Sequence, residues 1–422
     1  MVFHPKQRPM WRPKMSRREA LRLMAGAAVA GGMLTGCGSG SGGSSSSDVR
    51  VVVGTRDDPV KQPLYDDNPM IDSGLEPEKG PLRVYNWADY IYTRVLKDFE
   101  KEFGVEVELT TFYNLEEATR KLRTGKVNFD VFVPTAEVIP KFVAGKLLQP
   151  LNHSYLPNLK KNVWPMLASP YYDQGSRYTV PYTVYLTGIG WRTDMVSADV
   201  TAMDNPWDAF WDPEYKGIAG LYDDYRETIG VGMYKSGIID INGDKTSDLD
   251  TATDNLVELT DLVDIRYTID GAYAKLPESV FGIHQAWSGD MVNAPYYMPK
   301  GDDPSVLRFV WPPKAKGGAG GYVSNDSLAV LNGAENPVLA HMFLNYMLDD
   351  KVAIKNFSWN AYQPPINALK PDKLVSDGMI RKNLASTVIE QSDFDMGQVP
   401  EQLTPEEDKR WLEAWSRVQQ GG

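Results

Sequence analysis

Cysteine is almost absent: Cys37 stands alone in 422 residues, which excludes an intramolecular disulfide framework and a thiolate metal cluster. Histidine is nearly as scarce. His4, His153, His284 and His341 are scattered, with none at helical ligand spacing from another, so they read as structural or surface residues and no metal site is expected. Positive charge is in deficit, with a formal net charge of -12. That balance argues against a nucleic-acid partner, and it is compatible with a cationic ligand without demanding one. The chain also lacks any internal repeat of twenty to fifty residues. What is there, 42% hydrophobic and 24% charged residues, fits a globular protein of two domains or lobes.

The N-terminus carries a set of signals in a meaningful order. Ser16-Arg17-Arg18-Glu19-Ala20-Leu21 is a twin-arginine sequence, followed by a weakly apolar Gly/Ala-rich run from Leu21 to Leu34. The run is short of the roughly 20 apolar residues that a spanning helix needs, so a signal-peptide core is the better reading. Leu34-Thr35-Gly36-Cys37 resembles a lipoprotein cleavage box, in which the cysteine becomes the lipidated first residue of the mature chain. Gly38 to Ser47, rich in Gly and Ser, follows as a flexible tether. Met15 offers a second start, because residues 1–14 add nothing that a signal needs. The expected organisation is a signal over 1–36 and a lipid-anchored flexible linker over 37–81. One lobe would comprise 82–185 with 321–365, and a second 186–320 with 366–422.

The body opens as alternating strand and helix patterns. Leu82–Tyr85 reads as a strand; Val95, Leu96, Phe99 and Phe103 recur at helical spacing and stop at Gly104. Val105, Val107 and Leu109 alternate with glutamates as a strand. Leu115, Ala118 and Leu122 mark a helix ended by Gly125, and Phe129–Val133 is a short apolar strand. This succession predicts an open α/β sheet, whose ligands bind at the carboxyl ends of strands. The rule points to Asn86–Tyr90 and Pro134–Glu137. Tyr182–Gly190 and Gly317–Gly321, rich in Gly and small residues, suit hinge crossings between two lobes, or ordinary loops.

Several constellations bear on chemistry. Asp224 and Glu227 lie i and i+3, so a helix would place both carboxylates on one face. Such a pair suits a glycosidase acid and base, a clamp for an ammonium, or simply a solvated helix N-terminus. Gly317–Gly321 lacks the Gly-Lys-Ser/Thr ending of a phosphate loop. Asp240–Asp244 lacks the turn glycine and closing glutamate of a calcium loop, so a turn at Asn242-Gly243 leading to a capped helix near Ser247–Asp250 is preferred. Tyr171-Tyr172 and Tyr296-Tyr297 have nothing nearby to complete an iron shell. Among the 11 tryptophans, Trp87, Trp207 and Trp287 lie at expected strand ends or in loops. An ammonium over an indole face gains about 0.5–2 kcal/mol, and a nearby carboxylate adds a charge-assisted hydrogen bond.

From Leu82 to about Pro365 the chain resembles the spermidine/putrescine-binding proteins of polyamine ABC transporters. The resemblance is carried by Val84-Tyr85-Asn86-Trp87-Ala88-Asp89-Tyr90, Phe129-Asp130-Val131-Phe132-Val133-Pro134-Thr135 and Val180-Pro181-Tyr182. Trp211-Asp212-Pro213-Glu214-Tyr215-Lys216-Gly217, Asp223-Asp224-Tyr225-Arg226-Glu227 and Asn325-Asp326-Ser327-Leu328-Ala329 continue it in family order. It implies an α/β fold of two periplasmic-binding-protein-like lobes with hinge crossovers, closing over a ligand. It further implies a monomeric receptor, not an enzyme, that needs no cofactor and lies outside the cytoplasm. The receptor would be held to the membrane through lipid on Cys37 and would deliver a small cationic polyamine to a permease. Carried over by position, Trp87 and Tyr90 supply aromatic faces with Asp89 beside them, and Trp287 an aromatic wall. Asp224, Glu227 and Asp326 supply acids, Thr135 stands where a serine is common, and Tyr362 matches a late aromatic. Two residues depart from the pattern. Ser324 stands where a tryptophan is frequent and Glu137 where a tyrosine is usual, which trades aromatic wall for carboxylate and leaves another organic cation or amino-acid-like solute as a competing ligand. A secreted carbohydrate hydrolase using Asp224 and Glu227 is the rival of a different class.

Overall fold

Nine strands form one mixed sheet in the computed structural model, which describes residues 51–421 except 126, 127, 244 and 270. The twin-arginine segment, Cys37 and the Gly/Ser tract lie outside the described residues. The strand order is β2-β1-β3-β9-β4-β7-β5-β6, with β8 paired to β4. On one side β1 (Leu82–Trp87) pairs in parallel with β2 (Val107–Phe112) and β3 (Val131–Phe132), and β9 (Tyr322–Val330) runs antiparallel to β3. On the other side β5 (Ala219–Leu221) pairs in parallel with β6 (Arg266–Tyr267) and β7 (Ile283–Trp287), and β4 (Thr179–Arg192) runs antiparallel to β7. β8 (Leu307–Val310) lies antiparallel to β4. Each half is therefore three parallel strands closed by one antiparallel strand. The closing strands, β4 and β9, pair with each other at the centre.

The local signals account for the elements. Helix α1 (Thr93–Phe103) buries Val95, Leu96 and Phe99 and stops at Gly104, whose φ of 69° favours glycine. Helix α2 (Leu115–Arg123) is capped by the Asn114 side chain. Helix α3 (Ile139–Ala144) follows β3, α4 (Tyr225–Lys235) follows β5, and α5 (Thr246–Val263) packs on α4. The last of these begins with Lys245 as N-cap and no side-chain cap bond, so Ser247 lies inside the helix instead of capping it. Helix α6 (Ser288–Asn293) follows β7, α7 (Pro337–Met347) follows β9, and α8 (Pro405–Gln420) ends the chain with a full Thr404/Glu407 capping box.

Both glycine-rich stretches have packing reasons. A Cβ on Gly188 would meet the Val310 carbonyl at 2.2 Å, and one on Gly190 the Met291 sulfur at 2.6 Å, both within β4, whose register against β9 shifts between Pro181 and Thr183. A Cβ on Gly317 would strike the Asp204 carbonyl, and one on Gly320 the Tyr234 ring at 2.2 Å. Residues 51–81 hold neither helix nor long strand, yet they are not a free linker. Buried Gln62 donates to the Val52 and Tyr172 carbonyls, Asn68 donates to Leu148 O, and Glu78 accepts from the first amides of α7. Residues 366–399 pack in a core shared with Leu151, Trp164 and Val184, but also with Met291 and Phe309. The turns of α8 instead join the core of α4 and α5. Buried His284 and His341 sit in packing roles, and burial pushes the His284 imidazole down to about 4. Among the described residues no helix is long and apolar enough to cross a membrane.

Candidate functional site

Strand register builds the floor of the site. Neighbouring side chains across a ladder share a face, and so do residues two apart along a strand. Thr183 lies opposite Asp326, Tyr185 opposite Ser324, and Thr187 opposite Tyr322. Thr187 also pairs with Trp287 on β7, and Thr135 bridges to Asp326. One face of the central pair thus carries three rows: Thr135–Asp326–Thr183, then Ser324–Tyr185, then Tyr322–Thr187–Trp287.

The loops after the parallel strands aim at this floor. After β1 comes Tyr90, whose hydroxyl bonds Asp326 Oδ2 at 2.6 Å and Thr183 Oγ1 at 2.5 Å. After β3 comes Glu137, whose Oε1 accepts from Thr135 Oγ1 at 2.5 Å. After β5 comes α4. The Asp224 carboxylate caps this helix by accepting from the Glu227 amide at 3.0 Å. The Glu227 side chain turns inward, accepting from Thr187 Oγ1 at 3.0 Å, Trp287 Nε1 at 3.2 Å and Gln285 Nε2 at 3.3 Å. Asp224 and Glu227 therefore do different things, one holding the helix start and the other facing the floor. β7 ends at Trp287, stacked on Tyr222 at 4.3 Å, and after it comes Asp290, which accepts from the Tyr362 hydroxyl at 2.7 Å. Tyr362 in turn packs edge-on against Tyr90 at 4.8 Å.

Tyr90, Thr135, Glu137, Glu227, Trp287, Asp326 and Tyr362 are thus brought together. Trp87 and Asp89 stand further out. The Trp87 indole donates to Val133 O and its ring packs on Phe112 at 4.6 Å. Asp89, at a φ of 55°, accepts from Tyr273 across the gap between the two halves at 3.4 Å. Trp207 does not belong to the site: it is fully buried and donates to Gly320 O. Sequence reasoning missed Asp290, Tyr185, Tyr222 and Gln285. The strand-end rule that found Glu137 reaches Asp290 equally well once β7 is recognised. Tyr185 lies within a strand and only its cross-strand partners reveal it.

The electrostatics are those of anions removed from water. Burial pushes the Glu227 carboxyl up to about 8, with the charge of Asp224 adding to it and the Trp287 and Thr187 donors opposing it. Burial pushes Asp326 up to about 7, opposed by the Tyr90 bond and reinforced by Glu137. Asp290 reaches about 7 by burial, and Glu137 is raised for the same first reason. Tyr185 feels Asp326, Glu137 and Glu227 together, which places it among all three acids. Arg226, a cation whose charge reaches Glu137, points elsewhere. Its guanidinium donates to Glu401 O and Asn242 Oδ1 and lies over the Trp411 ring at 4.8 Å. Among the described residues no group of three or more His, Cys, Asp or Glu side chains is arranged to hold a metal ion.

Two α/β halves that converge on an acidic floor faced by aromatic rings have the architecture of a receptor for a small solute. The family model of the bacterial extracellular solute-binding proteins matches residues 94–382, and the chain belongs to that family. The putrescine-binding periplasmic protein of Escherichia coli is 30% identical over 285 residues, 65% of this chain and 75% of that protein. The putrescine/agmatine-binding protein of Pseudomonas aeruginosa is 25% identical over 354 residues, 81% of this chain and 92% of that protein. A solved spermidine/putrescine ABC transporter substrate-binding protein from Streptococcus pneumoniae has a TM-score of 0.65 at 23% identity, covering 81% of this chain and 98% of its own. That likeness supports the fold.

Proposed function

We propose that this protein is the extracytoplasmic receptor of an ABC importer, that it binds an aliphatic polyamine between its halves, and that it hands the ligand to a membrane permease. The observation that carries the reading is the set of buried carboxylates around one floor, reached by neutral donors and faced by phenol and indole rings. A buried anion is stable when a cation or several donors meet it. One ammonium at Asp326 and another at Glu227 would supply such partners, and Trp287, Tyr185 and Tyr90 would cover the methylene chain between them. The names of the polyamine-binding relatives agree with this chemistry. In this reading β4 and β9 act as the hinge pair, and Asp89 and Trp87 line the mouth.

Calorimetric titration with putrescine, spermidine and a neutral diol tests it. Salt-sensitive binding of the amines and none of the diol is expected; failure of every amine to bind overturns it. The proposal extends to attachment through lipid on Cys37 after export by the twin-arginine route. Replacing Cys37 by Ser should move the protein from the membrane fraction to the soluble fraction, and unchanged fractionation would refute the anchor.

A further inference from the structure

The chain beyond residue 382, outside the stretch that the family model matches, makes a further connection between the halves besides the β4–β9 pair. It starts at the base of β9. Gln398 donates its amide to Gly321 O at 3.0 Å, accepts from the Val323 amide at 3.1 Å and bridges in parallel to Tyr322. Its side-chain oxygen takes the Gly321 amide at 2.8 Å. From there the segment touches both halves, and the two sets of contacts differ in kind.

On the half that holds β5–β7, α4 and α5 the contacts are dense. Arg226 donates to Glu401 O at 3.1 Å, and its guanidinium lies over the Trp411 ring. Asn242 donates to Val399 O at 2.9 Å and accepts from the Glu401 amide at 2.8 Å. Trp411, Ala414, Trp415 and Val418 of α8 are buried in one core with Ile229, Leu249 and Leu256. Pulling such side chains out of a core is costly, so α8 travels with this half.

On the half that holds β1–β3 and α3 the contacts are few and polar. Lys141 Nζ meets Asp408 Oδ2 at 3.2 Å with both side chains partly exposed. The hydroxyl of Tyr171, packed on the core of Tyr85, Phe132 and Phe142, donates to Pro400 O at 3.4 Å. Arg56 donates to Phe394 O and pairs with exposed Asp395 at 2.7 Å; it sides with this half because nearby Val60 and Gln62 bond the Tyr171 and Tyr172 carbonyls. The surfaces of α3 and α8 do not interlock. A groove of about 410 Å³ lined by Lys141, Pro405, Asp408, Lys409, Leu412 and Glu413 runs between them. An apolar seam would lock the halves together, whereas exposed ion pairs and single hydrogen bonds part readily. When Lys141 leaves, Asp408 stays held by the Tyr225 hydroxyl at 2.5 Å. These releasable contacts lie beside the floor: Lys141 is four residues after Glu137, and Tyr171 feels the charges of both Glu401 and Glu137.

Resting on the proposed function, we infer that the C-terminal segment 394–420 is a clasp. Carried by the half that holds α4 and α5, it fastens the other half through Lys141, Tyr171 and Arg56 when the cleft closes and lets go when the cleft opens. It thereby sets how long the ligand is held.

Two measurements on the full chain test it. In stopped-flow fluorescence with spermidine, Lys141→Met combined with Tyr171→Phe should speed ligand release about three- to tenfold and change association less than about twofold. Arg417→Gln breaks the Arg417–Asp250 pair within the half that carries the clasp and should leave release unchanged. No acceleration by the double variant, or equal acceleration by Arg417→Gln, overturns the clasp. In a Cys37→Ser background, Lys141→Cys and Asp408→Cys joined by a short bis-maleimide should slow both entry and release about tenfold or more. Entry at the unlinked rate would show that the cleft opens without parting α3 from α8, and overturns the inference while leaving the receptor standing. Failure of every amine to bind overturns the proposed function instead. The clasp is then judged by small-angle X-ray scattering of the unliganded chain: a larger radius of gyration in the double variant than in the wild type supports it, and identical radii overturn it.

Discussion

Asp326 and Glu227 are acids whose surroundings work against their ionisation. Burial raises Asp326 to about 7 and Glu227 to about 8, so in the unfolded chain both would ionise at lower pH. A raised folded-state value means that stability is fully present below the unfolded pKa, near pH 4, and is lost as pH climbs towards 7 to 8. The unliganded protein is therefore expected to melt at lower temperature at pH 8 than at pH 5.5, as calorimetric scans would show. A cation favours the ionised acids, so it displaces protons and binds more tightly as pH rises over the same window. The gain approaches about tenfold per pH unit for each proton displaced. Titrations at pH 5.5, 6.5 and 7.5 check this; flat affinity would contradict it. Asp326→Asn keeps the Tyr90 contact while removing the charge. It should weaken polyamine binding by about 30-fold or more without lowering the melting temperature of the unliganded protein, measured in parallel.

The elements that deliver these side chains are short, and their junctions carry the precision. Gly289, in the first turn of α6, lies against the Tyr362 ring, and a Cβ there would meet ring carbons at 2.5 to 2.7 Å. Gly289→Ala should push Tyr362 away from Asp290 and Tyr90, costing about 1–3 kcal/mol of stability and severalfold in affinity, readable by thermal melting and titration. At this scale much was legible from the residues. The apolar periodicity and terminal glycines of Val95–Gly104 and Leu115–Gly125 marked α1 and α2, and the strand-end rule marked Tyr90 and Glu137. Asp224 and Glu227 were visible as a pair, but spacing could not say that one caps a helix and the other faces a cleft. Trp207 was misleading because its burial depends on the distant Gly320 backbone. Tyr185 was hidden for a related reason. The floor is defined by cross-strand register between segments a hundred or more residues apart, and no local pattern encodes that pairing.

At the scale of the molecule, contacts away from the floor tie the two halves together. Asp408 on α8, beyond the stretch matched by the family model, accepts from Lys141 Nζ at 3.2 Å and from the Tyr225 hydroxyl at 2.5 Å. Lys141 sits on α3, four residues after Glu137, and Tyr225 lies between Asp224 and Glu227, so one carboxylate joins the supports of acids from both halves. Because the ion pair is partly exposed, Asp408→Asn should cost about 1 kcal/mol or less and show chiefly as faster ligand release in stopped-flow tryptophan fluorescence. Residues 51–81 are themselves held by Gln62, Asn68 and Glu78, which bond Tyr172, Leu148 and the start of α7. Ligand capture in this protein requires that acids from the two halves meet a single cation-bearing chain. A crystal structure of the protein grown with spermidine tests that most directly. It should place ligand nitrogens within about 3 Å of the Asp326 and Glu227 carboxylates at once, with the chain lying along Tyr185. Ligand bound outside the β4–β9 floor, or touching the acids of only one half, would contradict the account.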